Sequence, residues 1–207
     1  MSIVLVIVSA VIGYLLGSIP TGLVVARVYK NVDITQVGSQ RTGATNVLRT
    51  LGPGAAAVVF IGDALKGIIA VLVSGVLTNG DPLAASLAAI AAIVGHSYSI
   101  FIGFRGGRGV TPGLGALAII SPAAAATAVA IGAVMILLTR YVSLGSIVGA
   151  ATGGVVLSIL ALTGIEPTPY LLYGAAATAF IIVSHRDNIA RIASGSERRL
   201  GEKVEQG

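Results

Sequence analysis

Charged residues are scarce in this chain, and cysteine and tryptophan are absent. Only 10 % of the 207 residues are charged and 55 % are apolar, whereas an ordinary soluble domain carries about 25 % charged residues. Twenty-one charged side chains are too few to cover a globular surface, which excludes a soluble enzyme, a disordered regulator and a coiled coil. Without cysteine there is no disulfide framework, thiolate metal site or cysteine nucleophile. The chain is predicted to be an integral membrane protein.

Long apolar runs occupy most of the sequence. A spanning helix needs about 20 mostly apolar residues, because in lipid every backbone polar group must be satisfied within the segment. We predict an all-α fold of seven transmembrane helices, at 3–29, 53–77, 83–104, 110–120, 122–139, 143–163 and 170–184. The fourth is short and stops at Ser121-Pro122, so a re-entrant hairpin would give the same connections. The whole chain, 1–207, is predicted to be one transmembrane domain with a polar tail from about 194 to 207.

Basic residues mark one side of the predicted bundle. With the N-terminus outside, the outer connections at 78–82, 121–122 and 164–169 contain no lysine or arginine. Twelve of the 13 basic residues fall in inner connections, at inner helix ends or in the tail, and Lys66 lies within the second segment. Positive residues prefer the cytoplasmic side, so we predict an external N-terminus, a cytoplasmic C-terminus and a location in the cell inner membrane. Low aromatic content and the lack of a basic run before the C-terminus predict no nucleic-acid partner.

Polar residues on the predicted inner face form three clusters, and the first is 33–49. Gly38 and Gly43 free its backbone to wrap around an anion. Other residues supply donors and charge: Ser39, Arg41, Thr42, Thr45, Asn46 and Arg49. The glycine spacing resembles a nucleotide-binding P-loop, but Ala44 stands where that motif has lysine, which excludes nucleotide hydrolysis. The alternative is a solvated connecting loop.

The second cluster, 104–110, contains three glycines and two arginines at a helix start: Arg105, Gly106, Gly107, Arg108 and Gly109. Bare amides, the positive helix end and guanidinium groups together favour an anion. The alternative is a tight turn whose arginines only follow the positive-inside rule. We interpret the glycine crowding around Arg108 as favouring a phosphate site.

The third cluster, 185–199, begins where the seventh segment leaves the membrane. His185 and Asn188 are three residues apart and are predicted to share a helix face. His96, near the inner end of the third segment, is the other histidine, and a packed hydrogen-bonding role is the alternative to substrate binding. Asp63 and Lys66 are predicted to form an internal ion pair, because an unpaired charge at that depth is costly. No carboxylate or histidine cluster has metal-ligand spacing, so no metal and no cofactor are predicted.

In combination, these residues resemble the bacterial membrane glycerol-3-phosphate acyltransferases that use acyl phosphate as donor, the PlsY family. The resemblance extends from about residue 14 to 197. It rests on Gly17-Ser-Ile-Pro-x-Gly22, Val37-Gly-Ser-x-x-x-Gly-Ala-Thr-Asn-Val-Leu-Arg49, Asp63-x-x-Lys-Gly67, Gly95-His96, Phe104-Arg-Gly-Gly-Arg-Gly109 and His185-Arg-x-Asn-Ile-x-Arg-Ile-x-x-Gly-x-Glu197. Two positions depart from the family: its usual Gly-Gly-Lys-Gly has arginine here, and its common Gly-Ser-Gly-Asn is Gly38-Ser-Gln-Arg41.

The resemblance implies a seven-helix membrane enzyme with an external N-terminus. Such an enzyme transfers a fatty acyl group from acyl phosphate to the 1-hydroxyl of glycerol 3-phosphate, giving lysophosphatidic acid and inorganic phosphate, the first step of phospholipid synthesis. The implied partners are these two substrates, the lipid bilayer and, by a functional link, the soluble enzyme that makes acyl phosphate. Either His185 or the substrate's own phosphate accepts the hydroxyl proton.

The resemblance and the three polar clusters together give the candidate site residues. The candidates for catalysis are His185, Asn188 and Ser39. The candidates for substrate or phosphate binding are Thr45, Asn46, Arg49, His96, Arg105, Gly106, Gly107, Arg108 and Gly109. A transporter for phosphorylated solutes is the alternative from another class, but it would line a path through the membrane with polar residues. A lipid-binding scaffold, the third alternative, would not need the glycine-rich loop.

Overall fold

The computed structural model describes residues 2–202, and within that range the chain forms helices and connecting segments without a β-strand. Lys203 and the rest of the predicted tail to 207 lie outside the described residues. The α-helices of the described part are α1 Ile3–Ser18, α2 Thr21–Lys30, α3 Ala44–Leu51, α4 Pro53–Thr78, α5 Pro82–Ser97, α6 Val110–Ile120, α7 Pro122–Thr139, α8 Val142–Leu162, α9 Tyr170–Ser184 and α10 Arg186–Ala193. A 3₁₀ turn, Ile100–Ile102, follows α5.

Four helical stretches in residues 2–202 are long and apolar enough to cross a bilayer: Ile3–Lys30, Pro53–Thr78, Pro122–Thr139 and Val142–Leu162. The helices α5, α6 and α9 are apolar but shorter. All seven predicted segments therefore contain apolar helix, and the all-helical prediction is confirmed. The number of crossings and their orientation stay predictions.

The helices depart from the predicted segments by more than one residue at three places. Pro20, which has no N–H to donate, separates α1 from α2 within the first segment. The third segment, predicted to reach residue 104, stops being helical at Ser97, because Tyr98 leaves helical dihedral angles with φ −129° and ψ 66°. The cluster 33–49, interpreted above as a loop, contains α3 from Ala44 onward.

Small residues bring the helices of this bundle into close contact. Gly13 and Gly17 of α1 lie so near the carbonyl groups of Ala88 and Ala92 of α5 that a Cβ at either glycine would collide with them. In lipid, helices associate by close backbone packing and not by excluding water, which explains why small residues occupy the contact.

Large apolar side chains point outward. Val76 is 82 % exposed, Leu137 79 % and Leu162 74 %, while the buried core is rich in alanine, including Ala89 and Ala124. This distribution, apolar and bulky outside and small inside, suits a surface that contacts lipid.

The predicted ion pair within the second apolar segment is confirmed. In α4, Lys66 Nζ donates to Asp63 Oδ1 at 2.6 Å, and both side chains are buried. Pairing lowers the cost of placing two charges among apolar helices.

Candidate active site

Three segments that are distant in sequence meet at one end of the bundle. They are the 33–49 segment, the connection from α5 to α6, and the α9–α10 junction with the tail that follows. They enclose two cavities, a polar cavity of about 660 Å³ and a groove of about 450 Å³ that continues between α6, α7, α8 and α9. Both cavities are lined by a shared rim, defined as Ser39, Arg41, Arg49, Arg108, Asn188 and Glu197.

Most of the predicted site residues line these cavities. The groove contacts Ser39, Thr45, Asn46, Arg49, His96, Gly107, Arg108, His185 and Asn188. Arg105 and Gly106 line the polar cavity. Gly109 is absent from both linings of the described structure and serves instead as the residue before α6, with φ +78°.

Asn46 organises the first segment from inside. Its Oδ1 accepts the Ser39 N–H at 3.0 Å, and its Nδ2 donates to the carbonyl groups of Ile34, Val37 and Arg41 at 3.2, 3.0 and 2.9 Å. These bonds use the donor capacity of the amide, so Asn46 shapes the loop, and its direct contact with phosphate stays a prediction. It places Ser39 at the shared rim.

The two glycines of this segment differ in backbone conformation. Gly38 has φ +65°, which favours glycine, whereas Gly43 has an extended conformation with φ −73° and precedes α3. Only Gly38 therefore uses the conformational freedom predicted for both.

The glycines of the second segment pack against the end of α5. Gly107 N–H donates to the His96 carbonyl at 3.0 Å, and a Cβ on Gly107 would collide with His96 Nε2. A Cβ on Gly106 would collide with the His96 carbonyl, and one on Gly109 would meet Ile93 Cγ2 at 2.5 Å. Packing against α5 is thus sufficient to explain these glycines, and the phosphate site that their crowding favours stays a prediction.

Arg108 extends from this segment into both cavities and is half-buried. Its Nε donates to the Ser184 carbonyl at 3.1 Å, which ties the loop to the end of α9. Burial, followed by the charges of Arg41 and Arg191, lowers the pKa of Arg108 to about 10. The guanidinium group stays charged at neutral pH and lies among other cations.

Arg49, on α3, is the second arginine with a lowered pKa, caused first by burial and then by the charge of Arg198. Its Nη2 donates to the Arg198 carbonyl at 3.4 Å. Thus Arg49 joins α3 to the tail across the mouth of the site.

His185 lies at the junction of two helices, since α9 ends at Ser184 and α10 begins at Arg186. It therefore does not share one helix with Asn188 as predicted, but both side chains are buried and line the same groove. His185 Nδ1 lies 2.8 Å from the Ile181 carbonyl. A carbonyl can only accept, so Nδ1 carries the proton and Nε2 presents a lone pair.

Burial is the largest cause and the nearby Arg108 charge a smaller one, and against the opposing effect of the bond to Ile181 they lower the pKa of His185 to about 4. The imidazole is therefore neutral at neutral pH. It is a hydrogen-bond acceptor and a weak base.

Glu197 is a buried carboxylate that was not among the predicted site residues. Its Oε1 accepts from Ser143 Oγ at 2.7 Å and Asn188 Nδ2 at 2.6 Å, and its Oε2 accepts from Arg191 Nε at 2.8 Å. Burial raises its pKa, but these three hydrogen bonds outweigh burial and leave the pKa lowered. The available signal was its place at the end of the His185–Glu197 motif; nothing in the sequence indicated Ser143.

Glu197 determines which way the Asn188 amide faces. Because Asn188 Nδ2 donates to the carboxylate, Oδ1 is turned the other way, and within residues 2–202 this buried oxygen has no hydrogen-bond partner. A buried acceptor at the rim of a cavity is suited to a donor from a ligand.

The polar cavity carries a large excess of positive charge. Two carboxylates line it, those of Asp187 and Glu197, together with six arginines: Arg41, Arg49, Arg105, Arg108, Arg191 and Arg198. The net charge of the described lining is therefore +4. Clustered guanidinium groups at a partly desolvated surface favour anions with several acceptor oxygens, of which phosphate is one.

The bulky apolar exterior of the bundle is typical of an integral membrane protein, and the arginine-lined cavity beside the apolar groove is suited to an anion. A family model described as glycerol-3-phosphate acyltransferase matches residues 7–195. Proteins of that name from Thermus thermophilus and Synechococcus elongatus are 46 % and 44 % identical to this chain over 194 and 202 residues. Each of these alignments covers 94 % of both proteins. The chain belongs to the glycerol-3-phosphate acyltransferase family.

Two crystal structures have the same fold. Both are of PlsY, described as an integral membrane glycerol 3-phosphate acyltransferase, in its glycerol 3-phosphate form and its lysophosphatidic acid form. The first has a TM-score of 0.86 at 36 % identity and covers 95 % of this chain and 96 % of that one. The second has a TM-score of 0.85 at 35 % identity and covers 95 % of both. The predicted family and the prediction of a membrane acyltransferase of phospholipid synthesis are confirmed.

Proposed function

We propose that this chain transfers a fatty acyl group from acyl phosphate to the 1-hydroxyl of glycerol 3-phosphate at the cytoplasmic face of the membrane, releasing lysophosphatidic acid and inorganic phosphate. The observation that carries the proposal is the junction of a polar, arginine-lined cavity with an apolar groove. A water-soluble phosphate ester and a lipid-like donor can meet at such a junction, because the polar cavity suits the ester and the apolar groove suits the acyl chain of the donor. We also propose a functional link to the soluble enzyme that makes acyl phosphate.

The charge of the site supports acyl phosphate as the donor. The lining of the polar cavity carries a net charge of +4. A phosphate monoester carries about −1.5 to −2 at neutral pH, so two phosphates together balance this lining. Acyl phosphate places its phosphate next to the reacting carbonyl, and both negative groups then fall within one cavity. An acyl thioester carries no phosphate beside its carbonyl.

The apolar groove supports a long acyl chain. Along α8 the residues lining it run from Val142 to Gly154, a length of about 18 Å at 1.5 Å per residue. Five glycines line the groove without adding side-chain bulk: Gly132 of α7, Gly145, Gly149 and Gly154 of α8, and Gly174 of α9. A chain in this groove would be buried among apolar side chains while its carbonyl stays at the shared rim.

The chemistry we infer needs orientation and charge more than a strong base. Asn188 Oδ1 and His185 Nε2 hold the glycerol hydroxyl groups, and the 1-hydroxyl oxygen attacks the acyl carbonyl. The acyl–oxygen bond to phosphate then breaks, and inorganic phosphate leaves. Arg49 and Arg108 hold the two repelling anions together and stabilise the developing charge, which is catalysis by proximity and electrostatics.

The proton of the hydroxyl has two possible acceptors. The pKa of His185 is about 4, which makes it a poor base, whereas a phosphate monoester has its second pKa at about 6. We therefore infer that a substrate phosphate takes the proton and that His185 orients the hydroxyl.

A direct assay tests the function. Purified protein is supplied with labelled glycerol 3-phosphate and, in separate reactions, with acyl phosphate, acyl-CoA or acylated acyl carrier protein. The lysophosphatidic acid formed in each reaction is measured. We expect product with acyl phosphate only. Product with a thioester alone would overturn the donor assignment, and no product with any donor would overturn the proposed function.

The seven-span orientation has its own test, for which the absence of cysteine provides a clean background. Single cysteines are placed at Thr168, in the predicted outer connection, and at Ser194, after α10. We expect a membrane-impermeant thiol reagent to label Thr168→Cys in intact spheroplasts and Ser194→Cys only after permeabilisation. The opposite labelling would invert the proposed topology.

A further inference from the structure

A buried charged group lies beside the 105–109 loop and takes no part in the chemistry proposed above. It consists of Asp63, Lys66 and His96. Asp63 Oδ1 accepts from Lys66 Nζ at 2.6 Å and lies 3.6 Å from His96 Nδ1, and each of the three side chains is at most 5 % exposed. Within residues 2–202, Asp63 Oδ2 has no partner. Apolar residues would fill this space at lower cost than a buried ion pair.

His96 contacts the loop through two separate groups. Its backbone carbonyl accepts the Gly107 N–H at 3.0 Å. Its ring Nε2 lies where a Cβ of Gly107 would be, whereas the place of a Cβ on Gly106 is taken by the His96 carbonyl. The ring therefore limits how closely residue 107 can approach α5, and the backbone limits residue 106.

We propose that His96 is a positioning residue: its ring sets the distance of the 105–109 loop from α5, and Asp63 holds that ring, with Lys66 neutralising the carboxylate. The separation of 3.6 Å is longer than a hydrogen bond, so the ring is held by attraction between its Nδ1 edge and the negative charge. The Arg108 guanidinium and the Gly107 backbone move with the loop, and small displacements of such groups cost affinity and rate. The inference rests on the proposed binding of glycerol 3-phosphate at this loop.

A double-mutant cycle tests the contact between the ring and the loop. The variants are Gly107→Ala, His96→Ala and both together, and the readout is thermal stabilisation of the purified protein by glycerol 3-phosphate and, separately, by inorganic phosphate. Each single substitution is expected to weaken binding about ten- to hundred-fold. Removing the ring makes room for the added methyl group, so the double variant should bind no more weakly than His96→Ala alone.

Gly106→Ala provides the matched control. It adds the same methyl group to the same loop, but the opposing atom is the His96 backbone oxygen, which His96→Ala retains. The losses of Gly106→Ala and His96→Ala should therefore multiply. If the losses of Gly107→Ala and His96→Ala also multiply in the double variant, the proposed role of the ring is overturned. Binding is measured without an acyl donor, so the double-mutant cycle can be interpreted even if the donor assignment is incorrect. If glycerol 3-phosphate does not bind, the binding of inorganic phosphate still reports on the loop.

The role of Asp63 is tested by removing both charges with Asp63→Asn/Lys66→Met, with Lys66→Arg as the variant that keeps the pair. We expect the KM for glycerol 3-phosphate to rise severalfold in the first and to change less in the second, with the KM for the acyl donor unaltered in both. A purely structural role would lower stability without this selective change in KM. A folded neutral variant with the wild-type KM would overturn the role of Asp63, and if that variant does not fold, the cycle at residues 96, 106 and 107 decides the proposal.

Discussion

Replacing Arg108 with alanine separates a chemical role for the 105–109 loop from a role in membrane topology. The substitution removes a half-buried charge that faces both cavities, and it removes the Nε hydrogen bond to the Ser184 carbonyl at 3.1 Å. A hydrogen bond from a charged group contributes about 1.5–3 kcal/mol, so we expect kcat/KM for glycerol 3-phosphate to fall about ten- to hundred-fold.

Arg108→Lys should be milder. Lysine keeps a positive charge at the rim, but an ammonium group cannot reproduce both the bond to Ser184 and a contact with substrate. The expected loss is about 1 kcal/mol, or about fivefold. We expect kcat/KM for glycerol 3-phosphate to decrease in the order wild type, Arg108→Lys, Arg108→Ala.

Arg186→Ala is the matched control for the loss of one positive charge. Arg186 lies on the same predicted side of the membrane, its side chain is 77 % exposed, and its nearest carboxylate is that of Asp187 at 3.8 Å. It does not line either cavity in the described structure. We expect its kinetics to stay close to wild type.

The assay measures initial rates against glycerol 3-phosphate concentration at saturating acyl phosphate, normalised to folded protein in the membrane. If Arg108→Ala inserts normally and stays within twofold of wild type, the loop serves topology and packing, and the proposed role of Arg108 is refuted. If Arg186→Ala falls as far as Arg108→Ala, the effect is due to net charge and not to the position of the guanidinium group.

Three further predictions follow from the site. The pKa of His185 is lowered from 6.5 to about 4, so the imidazole becomes charged only as the pH falls toward about 4. The pH–rate profiles of wild type and His185→Gln between about pH 5 and 8 should therefore have the same shape and differ only in amplitude. An inflection near pH 6.5 in the wild-type profile alone would contradict this. Glu197→Ala leaves Ser143, Asn188 and Arg191 without an acceptor and should reduce stability by about 1–3 kcal/mol, a loss of several degrees in thermal unfolding, whereas exposed Glu202→Ala should not. Within residues 2–202 no three His, Asp or Glu side chains are grouped to hold a metal ion, so a chelator should not change the initial rate, and a loss of rate that magnesium restores would show that a metal is needed.

Composition and long apolar runs were sufficient for the class of fold. Each span is a local property, because a helix in lipid satisfies its own backbone, and the seven apolar segments could therefore be recognised one at a time. The ion pair of Asp63 and Lys66 was predictable for the same reason, since residues three apart meet on one helix. Ordered motifs on one predicted face also indicated the family.

Only the tertiary structure determined which neighbours each polar group and each glycine contacts. Asn46 has the residue type of a phosphate ligand, yet its amide is occupied by Ser39 and three carbonyl groups of the folded segment. The glycines beside Arg108 have the pattern of an anion loop, yet two of them are required by the approach of His96.

Glu197 shows the limit most clearly. It lies 54 residues from Ser143 in the sequence, and no local pattern relates the two. Their contact exists because α8, α10 and the tail meet at the same end of the bundle, and the same carboxylate oxygen binds Asn188 Nδ2 and leaves Asn188 Oδ1 without a partner in residues 2–202. Spacing in the sequence determined which side chains share a helix, and packing between helices determined which polar atoms remain free to bind.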